Sequence, residues 1–263
     1  PYFDSVFGPL MFPMLFLLGV APFARWKEAD TLELAKKLGW VFALSLAAGA
    51  VIPFLMGRWS HWVFIGCTLA VWVAATAVYN IIDRGRNMKG GFFAKLAQHP
   101  RAFWGMQLAH IGVAVFVIGV ALVKGYPAER NVRMYVGEQV TVAEYTFVFN
   151  GTKETRGANY QAMEGDFTVL KAGKELTHLY PQKRNYFSSR SMPMTEAAIR
   201  HSITGDVYVS LGEPTPDGAW IVRAYAKPFV TWIWWGAILM ALGGVLAMSD
   251  KRYRVRRRKT VSE

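Results

Sequence analysis

His110 lies where an imidazole needs a reason to be. It sits in Gln107-Leu108-Ala109-His110-Ile111-Gly112, inside an uncharged apolar run from Ala102 to Val123. A helix rising about 1.5 Å per residue places it about 12 Å beyond Ala102, near the middle of a hydrocarbon core roughly 30 Å thick. Polar groups at that depth serve packing or function, so three readings stand: a hydrogen bond across a helix interface, a proton relay, or axial ligation of a heme iron. Gly105, Ala109, Gly112 and Gly119 leave room beside it for another helix or for a flat macrocycle.

The other four histidines fit that chemistry poorly. Two axial imidazole nitrogens should lie only about 4 Å apart. His61 opens a different apolar run at its outer end, roughly 20 Å away by helical rise. His99, His178 and His201 fall in polar or connecting segments. These four are expected to be structural or incidental, and a second axial ligand for His110 must come from elsewhere. Cys67 is the only cysteine, so the chain has no internal disulfide, no CxxC redox pair and no CxxCH for covalent heme attachment. Nucleophile-elbow, P-loop, HExxH and paired-carboxylate signals are all missing from the sequence.

The elements that would hold His110 follow from hydropathy. Of 263 residues, 53% are hydrophobic and 18% charged, and the mean hydropathy is +0.19. The apolar residues collect into five runs, about 5–24, 38–56, 60–82, 102–123 and 229–248, each long enough to cross a bilayer once. Pro9, Pro13 and Pro22 predict a kinked first helix. The net charge of +12 gathers beside these runs: Arg25, Lys27, Lys36 and Lys37; then Arg84, Arg86, Lys89, Lys95 and Arg101; then the tail from Lys251 to Lys259. Basic residues mark the cytoplasmic side, so the expected topology has the N-terminus and residues 125–228 outside and the C-terminus inside. That topology accounts for the charge without a nucleic-acid partner. The segments 26–38 and 91–101 mix apolar and basic positions, as ordinary loops or short surface helices would. The chain opens on Pro1 and is expected to be the later part of a longer polypeptide.

Between the fourth and fifth runs the pattern changes to alternation with a period of two, which predicts an all-β domain over 125–228. Val132, Met134 and Val136 alternate, as do Val140 and Val142, Phe147 and Phe149, and Phe167 and Val169. Asn150-Gly151 is expected to end a strand in a turn, and Ala172-Gly173-Lys174 to close a hairpin. A further hairpin is expected from Val207 to Tyr225 through a proline-rich loop. The segments 182–186 and 192–196 are read as connecting loops, or as part of a docking surface. With twelve Lys or Arg against eleven Asp or Glu between Tyr126 and Pro228, the domain does not trap polyanions. A domain boundary near 124, a last helix at 229–248 and a basic tail at 249–263 complete the organisation.

Several separated motifs carry a resemblance. Pro1-Tyr2-Phe3-Asp4, the Gln107-to-Gly112 segment, Tyr180-Pro181-Gln182-Lys183-Arg184, Pro193 to Ile199, Asp206 to Gly212 and Lys227-Pro228 occur in one order. Together they resemble the C-terminal part of the CcmF family of cytochrome c heme lyases. The resemblance implies a multi-pass bacterial or organellar inner-membrane protein that helps attach heme to CxxCH cysteines of apocytochrome c. It implies partners as well: the lipid bilayer, a heme chaperone, apocytochrome-delivering subunits and the N-terminal part of the same protein. Under it, heme is the substrate, and His110 is one of two transmembrane histidines holding a non-covalent heme b, the other lying in the N-terminal part. The family's tryptophan-rich external segment has no counterpart here, and Trp234-Trp235-Gly236, in the last apolar run, is not that segment. Two alternatives remain from the residues alone: a non-catalytic scaffold that docks partners, and a heme b electron-transfer subunit.

Overall fold

The computed structural model describes residues 2–24, 31–86, 88–91, 94, 97–188 and 193–251. The basic tail beyond Lys251, the cationic positions Arg25, Lys27 and Lys95, and the start of the segment 192–196 lie outside the described residues. The chain forms two compact units, Pro1–Ala121 with Trp232–Glu263, and Leu122–Thr231.

Among the described residues, the first unit holds five helices long and apolar enough to cross a membrane, as expected. The first changes pitch around its prolines: a π-helical turn at Phe3–Phe7, helix α1 at Gly8–Val20, and a 3₁₀ turn at Ala21–Phe23. Helix α2 covers Thr31–Leu55, α3 His61–Arg86, α4 Arg101–Gly125 and α5 Val230–Met248. Helix α2 begins ahead of its apolar run because Glu33, Lys36 and Lys37 are good helix formers, although their charge keeps them out of a hydropathy window. Lys37 reaches across to Asp83 of α3 at 2.8 Å. The packing of α1, α2 and α3 centres on Trp72, which is 1% exposed. Its ring stacks on Phe16 at 5.5 Å and meets Phe42 edge-on at 5.5 Å, while its indole N–H donates to the Phe16 carbonyl at 2.9 Å. Gly19 makes this possible, since a Cβ there would stand 2.3 Å from the Trp72 ring nitrogen.

The second unit is a two-sheet sandwich. Its strands are β1 Ala128–Met134, β2 Gln139–Val142, β3 Tyr145–Arg156, β4 Tyr160–Lys171, β5 Lys174–Leu179, β6 Gln182–Tyr186, β7 Met194–Glu196, β8 Ala198–Arg200, β9 Gly205–Pro214 and β10 Trp220–Pro228. One sheet runs β1-β10-β9-β8, and the other β2-β3-β4-β6-β7 with β5 also paired to β4. All described strand pairs are antiparallel. The alternating residues close one core in which Phe147, Phe149, Phe167, Val169, Val209, Leu211 and Val222 are fully buried. Each buried side chain of this size adds about 1.5–3 kcal/mol to folding.

Two expectations change here. Asn150-Gly151 ends nothing: β3 continues to Arg156, and the register against β4 shifts between Phe149 and Gly151. Gly151 takes φ +132°, which a bulge tolerates, and the Asn150 amide donates across the ladder to Thr168 Oγ1 at 2.8 Å. The polar segment 182–186 is strand β6 rather than a loop, and Met194–Glu196 is a short edge strand paired to it. Tyr186 meets Tyr160 of β4 at 5.6 Å, and Arg184 lies 4.5 Å over the Tyr160 ring. The pairing therefore comes from side chains that hydropathy scores as solvent-loving.

Candidate cofactor-binding site

Helix α4 packs through two different faces. Toward α5 it presents Gly105, Gly112 and Gly119, one every seven residues. A Cβ on Gly105 would stand 2.5 Å from the Gly243 carbonyl, one on Gly112 2.7 Å from the Met240 amide nitrogen, and one on Gly119 2.9 Å from that of Ile233. The fit is reciprocal, because a Cβ on Gly236 would come 2.5 Å from the Phe116 nitrogen and one on Gly243 2.6 Å from the Gly105 carbonyl. Of the two occupants these small residues allow, a helix fills the space.

The other face meets α3. Gly66 faces Ala121, with 2.9 Å from a Gly66 Cβ to the Ala121 methyl. Asn80 meets Gln107, and Arg84 lies 5.3 Å over the Phe103 ring. The three pairs share one antiparallel register. Gln107, 1% exposed, donates its amide N–H to Asn80 Oδ1 at 2.9 Å, and the Asn80 amide donates to the Pro22 carbonyl at 3.4 Å. The Pro22 oxygen can only accept, so it fixes the orientation of Asn80, which in turn fixes that of Gln107. Gln107 Oε1 is left buried, with no hydrogen-bond partner among the described residues. Buried acceptors are seldom left unpaired.

His110 follows Gln107 by three residues, a spacing that places neighbours on one helix surface. Its Nδ1 lies 2.7 Å from the Met106 carbonyl oxygen, one turn back on the same helix. A carbonyl accepts, so Nδ1 carries a hydrogen and Nε2 is the ring nitrogen left for another partner. The hydrogen bond across a helix interface is thus not the one observed. A ring oriented by one N–H to a carbonyl, with the side chain half-buried, is the arrangement metal-ligating histidines use.

The remaining histidines each have local partners. His61 lies 3.2 Å from the Trp59 indole nitrogen. His99 stacks on Phe103 at 4.3 Å, and burial, followed by the charge of Arg84, holds its pKa below the ordinary value. His178 pairs with Asp166 at 3.2 Å and Glu175 at 3.3 Å, and His201 with Asp206 at 2.8 Å. None of the described residues form a group of three or more His, Cys, Asp or Glu that could hold a bare metal ion. Sequence reasoning passed over Asn80, whose only signal was a lone amide within the apolar run 60–82.

Comparison with known proteins shows what the chain resembles. Residues 125–228 match the family model described as the CcmF C-terminal beta-sandwich. The whole chain is 41% identical over 263 residues to "Cytochrome c-type biogenesis protein CcmF" of Pseudomonas aeruginosa, covering 40% of that protein. It is 40% identical over 258 residues, 97% of the chain, to the protein of the same name in Escherichia coli, covering 38% of it. A solved structure, "Cytochrome c Heme Lyase CcmF", superposes on 95% of the chain and 40% of its own with a TM-score of 0.76 at 22% identity, a likeness of fold alone. The chain therefore spans about two-fifths of the length of the curated relatives it matches. With the sandwich, the five helices and similarity along the whole chain together, the chain corresponds to the C-terminal part of the CcmF proteins.

Proposed function

We propose that this chain acts in cytochrome c-type biogenesis as the C-terminal part of a heme lyase, and that His110 supplies one axial ligand to a heme b within the spans. The observation that carries the reading is the 2.7 Å contact between His110 Nδ1 and the Met106 carbonyl, which leaves Nε2 as the free ligating atom. Heme would supply the redox chemistry. The residues of this chain orient the imidazole through Met106, and α3 excludes water from the polar pair Asn80–Gln107 beside it. A second ligand would come from the N-terminal part of the protein. Heme also enters as substrate, with a heme chaperone and apocytochrome-delivering subunits as partners.

The proposed topology has residues 1–124 as four spans, 125–228 as an extracytoplasmic domain, 229–248 as the fifth span and 249–263 as a cytoplasmic tail in a bacterial inner membrane. Its basis is the placement of Lys and Arg beside the spans. The function is tested by replacing the native protein with a His110→Ala form and staining membranes for covalently bound heme. A fall of about tenfold or more in c-type cytochromes, at equal protein level, is the expected result. Undiminished cytochrome would overturn the role assigned to His110.

A further inference from the structure

At one end of the sandwich an exposed imidazole is held by a buried carboxylate. The His201 side chain is 71% exposed, whereas that of Asp206 is 5% exposed. His201 Nδ1 lies 2.8 Å from Asp206 Oδ2. The other carboxylate oxygen accepts from the Ser202 amide at 3.2 Å and lies 3.3 Å from the Thr231 hydroxyl, whose single hydrogen is shared with the Ser202 carbonyl at 2.9 Å. The intervening loop is fixed as well. The Phe229 amide bonds the Thr204 carbonyl at 3.2 Å, and Gly205, at φ +155°, packs where a Cβ would stand 2.8 Å from the Lys227 carbonyl. The ring is therefore pre-oriented, with Nδ1 donating inward to a carboxylate and Nε2 turned away from it.

That arrangement is a ligand presented to something outside the domain. A carboxylate behind an imidazole fixes its orientation and which nitrogen faces outward, the usual support behind a metal-bound histidine. A bare ion asks for several protein ligands, and none of the described residues form such a group. An iron porphyrin brings four ring nitrogens of its own and asks the protein for one or two axial atoms and an apolar surface. Ile199 and Ile203, two positions to either side of His201, are 49% and 70% exposed. We infer that His201 Nε2 is an external axial ligand for an iron porphyrin, a second heme-contact site in this chain separate from His110. This rests on the heme reading above and extends it to the β domain. Binding forms one Fe–N bond in place of a water or other weak ligand, with no change of oxidation state.

The test is titration of the purified chain with ferric protoporphyrin IX in detergent, read by absorption and electron paramagnetic resonance. A His110→Ala background isolates the external site. Binding there should weaken about tenfold or more in His201→Ala and by a smaller factor in Asp206→Asn. His178→Ala, which removes another partly exposed histidine, should change nothing. Unchanged binding in His201→Ala, or an equal loss in His178→Ala, overturns the inference. Loss of binding confined to His110→Ala, with His201→Ala silent, sinks this site alone. Failure of every form to bind porphyrin sinks the heme reading with it.

Discussion

Gln107 and Asn80 join α4 to α3 through a single amide pair, Nε2 to Oδ1 at 2.9 Å, within the membrane-spanning part of the chain. Removing one partner strands the other in a low-dielectric interior, whereas removing both removes the need. Gln107→Leu and Asn80→Leu should each destabilise the protein by about 1–2 kcal/mol, and the double variant by less than their sum. Thermal unfolding in detergent measures this, and additive losses would show that the pair does not act as a unit.

The glycine seam gives a sharper contrast between neighbours. Gly243 packs on Gly105 and Ala109, while a Cβ on Gly244 would meet nothing within 4 Å. Gly243→Ala should cost about 1–3 kcal/mol by overpacking, and Gly244→Ala should be neutral or slightly stabilising. The same unfolding assay compares them, and equal effects would contradict the α4–α5 packing.

Within the sandwich, Phe167 stacks on Phe149 at 4.8 Å, and both are fully buried. Phe167→Ala should cost about 3–5 kcal/mol, a loss measurable by denaturant unfolding followed by near-ultraviolet circular dichroism. A loss below about 1 kcal/mol would contradict this core.

How much of this was legible beforehand follows from what each signal measures. Five apolar runs announced five helices, because a bilayer-length stretch has few other solutions. Alternation found β3, β4, β9 and β10, whose inward residues are apolar. It failed at β6, where Lys183 is buried in a sheet and paired with Glu213, because hydropathy counts a satisfied lysine as a loop residue. It failed also at Asn150-Gly151, where the same dipeptide that favours a turn serves a bulge. His110 was visible as a polar residue in an apolar run, but its orientation by Met106 was not, since a backbone carbonyl leaves no mark in the sequence. His201 looked incidental because it lies in the external domain, away from the span that holds His110, and the burial of Asp206 behind it leaves no mark in the sequence.

His178 offers a pH test. The hydrogen bond that its ring N–H donates to Asp166 holds its pKa above the ordinary 6.5, against a smaller desolvation effect. With the folded value raised, any stability the pair adds is complete below the unfolded value and is lost as pH rises through the folded one. Nuclear magnetic resonance titration should place the His178 midpoint above 6.5 and return it toward that value in Asp166→Asn. A midpoint unmoved by Asp166→Asn would contradict the pairing.

The most direct test of the central claim is the absorption spectrum of the full-length protein, oxidised and dithionite-reduced, for native, His110→Ala and His61→Ala forms. The account predicts a low-spin b-type spectrum in the native and His61→Ala proteins and its loss in His110→Ala. An unchanged spectrum in folded His110→Ala protein would contradict axial ligation and leave this chain a docking scaffold.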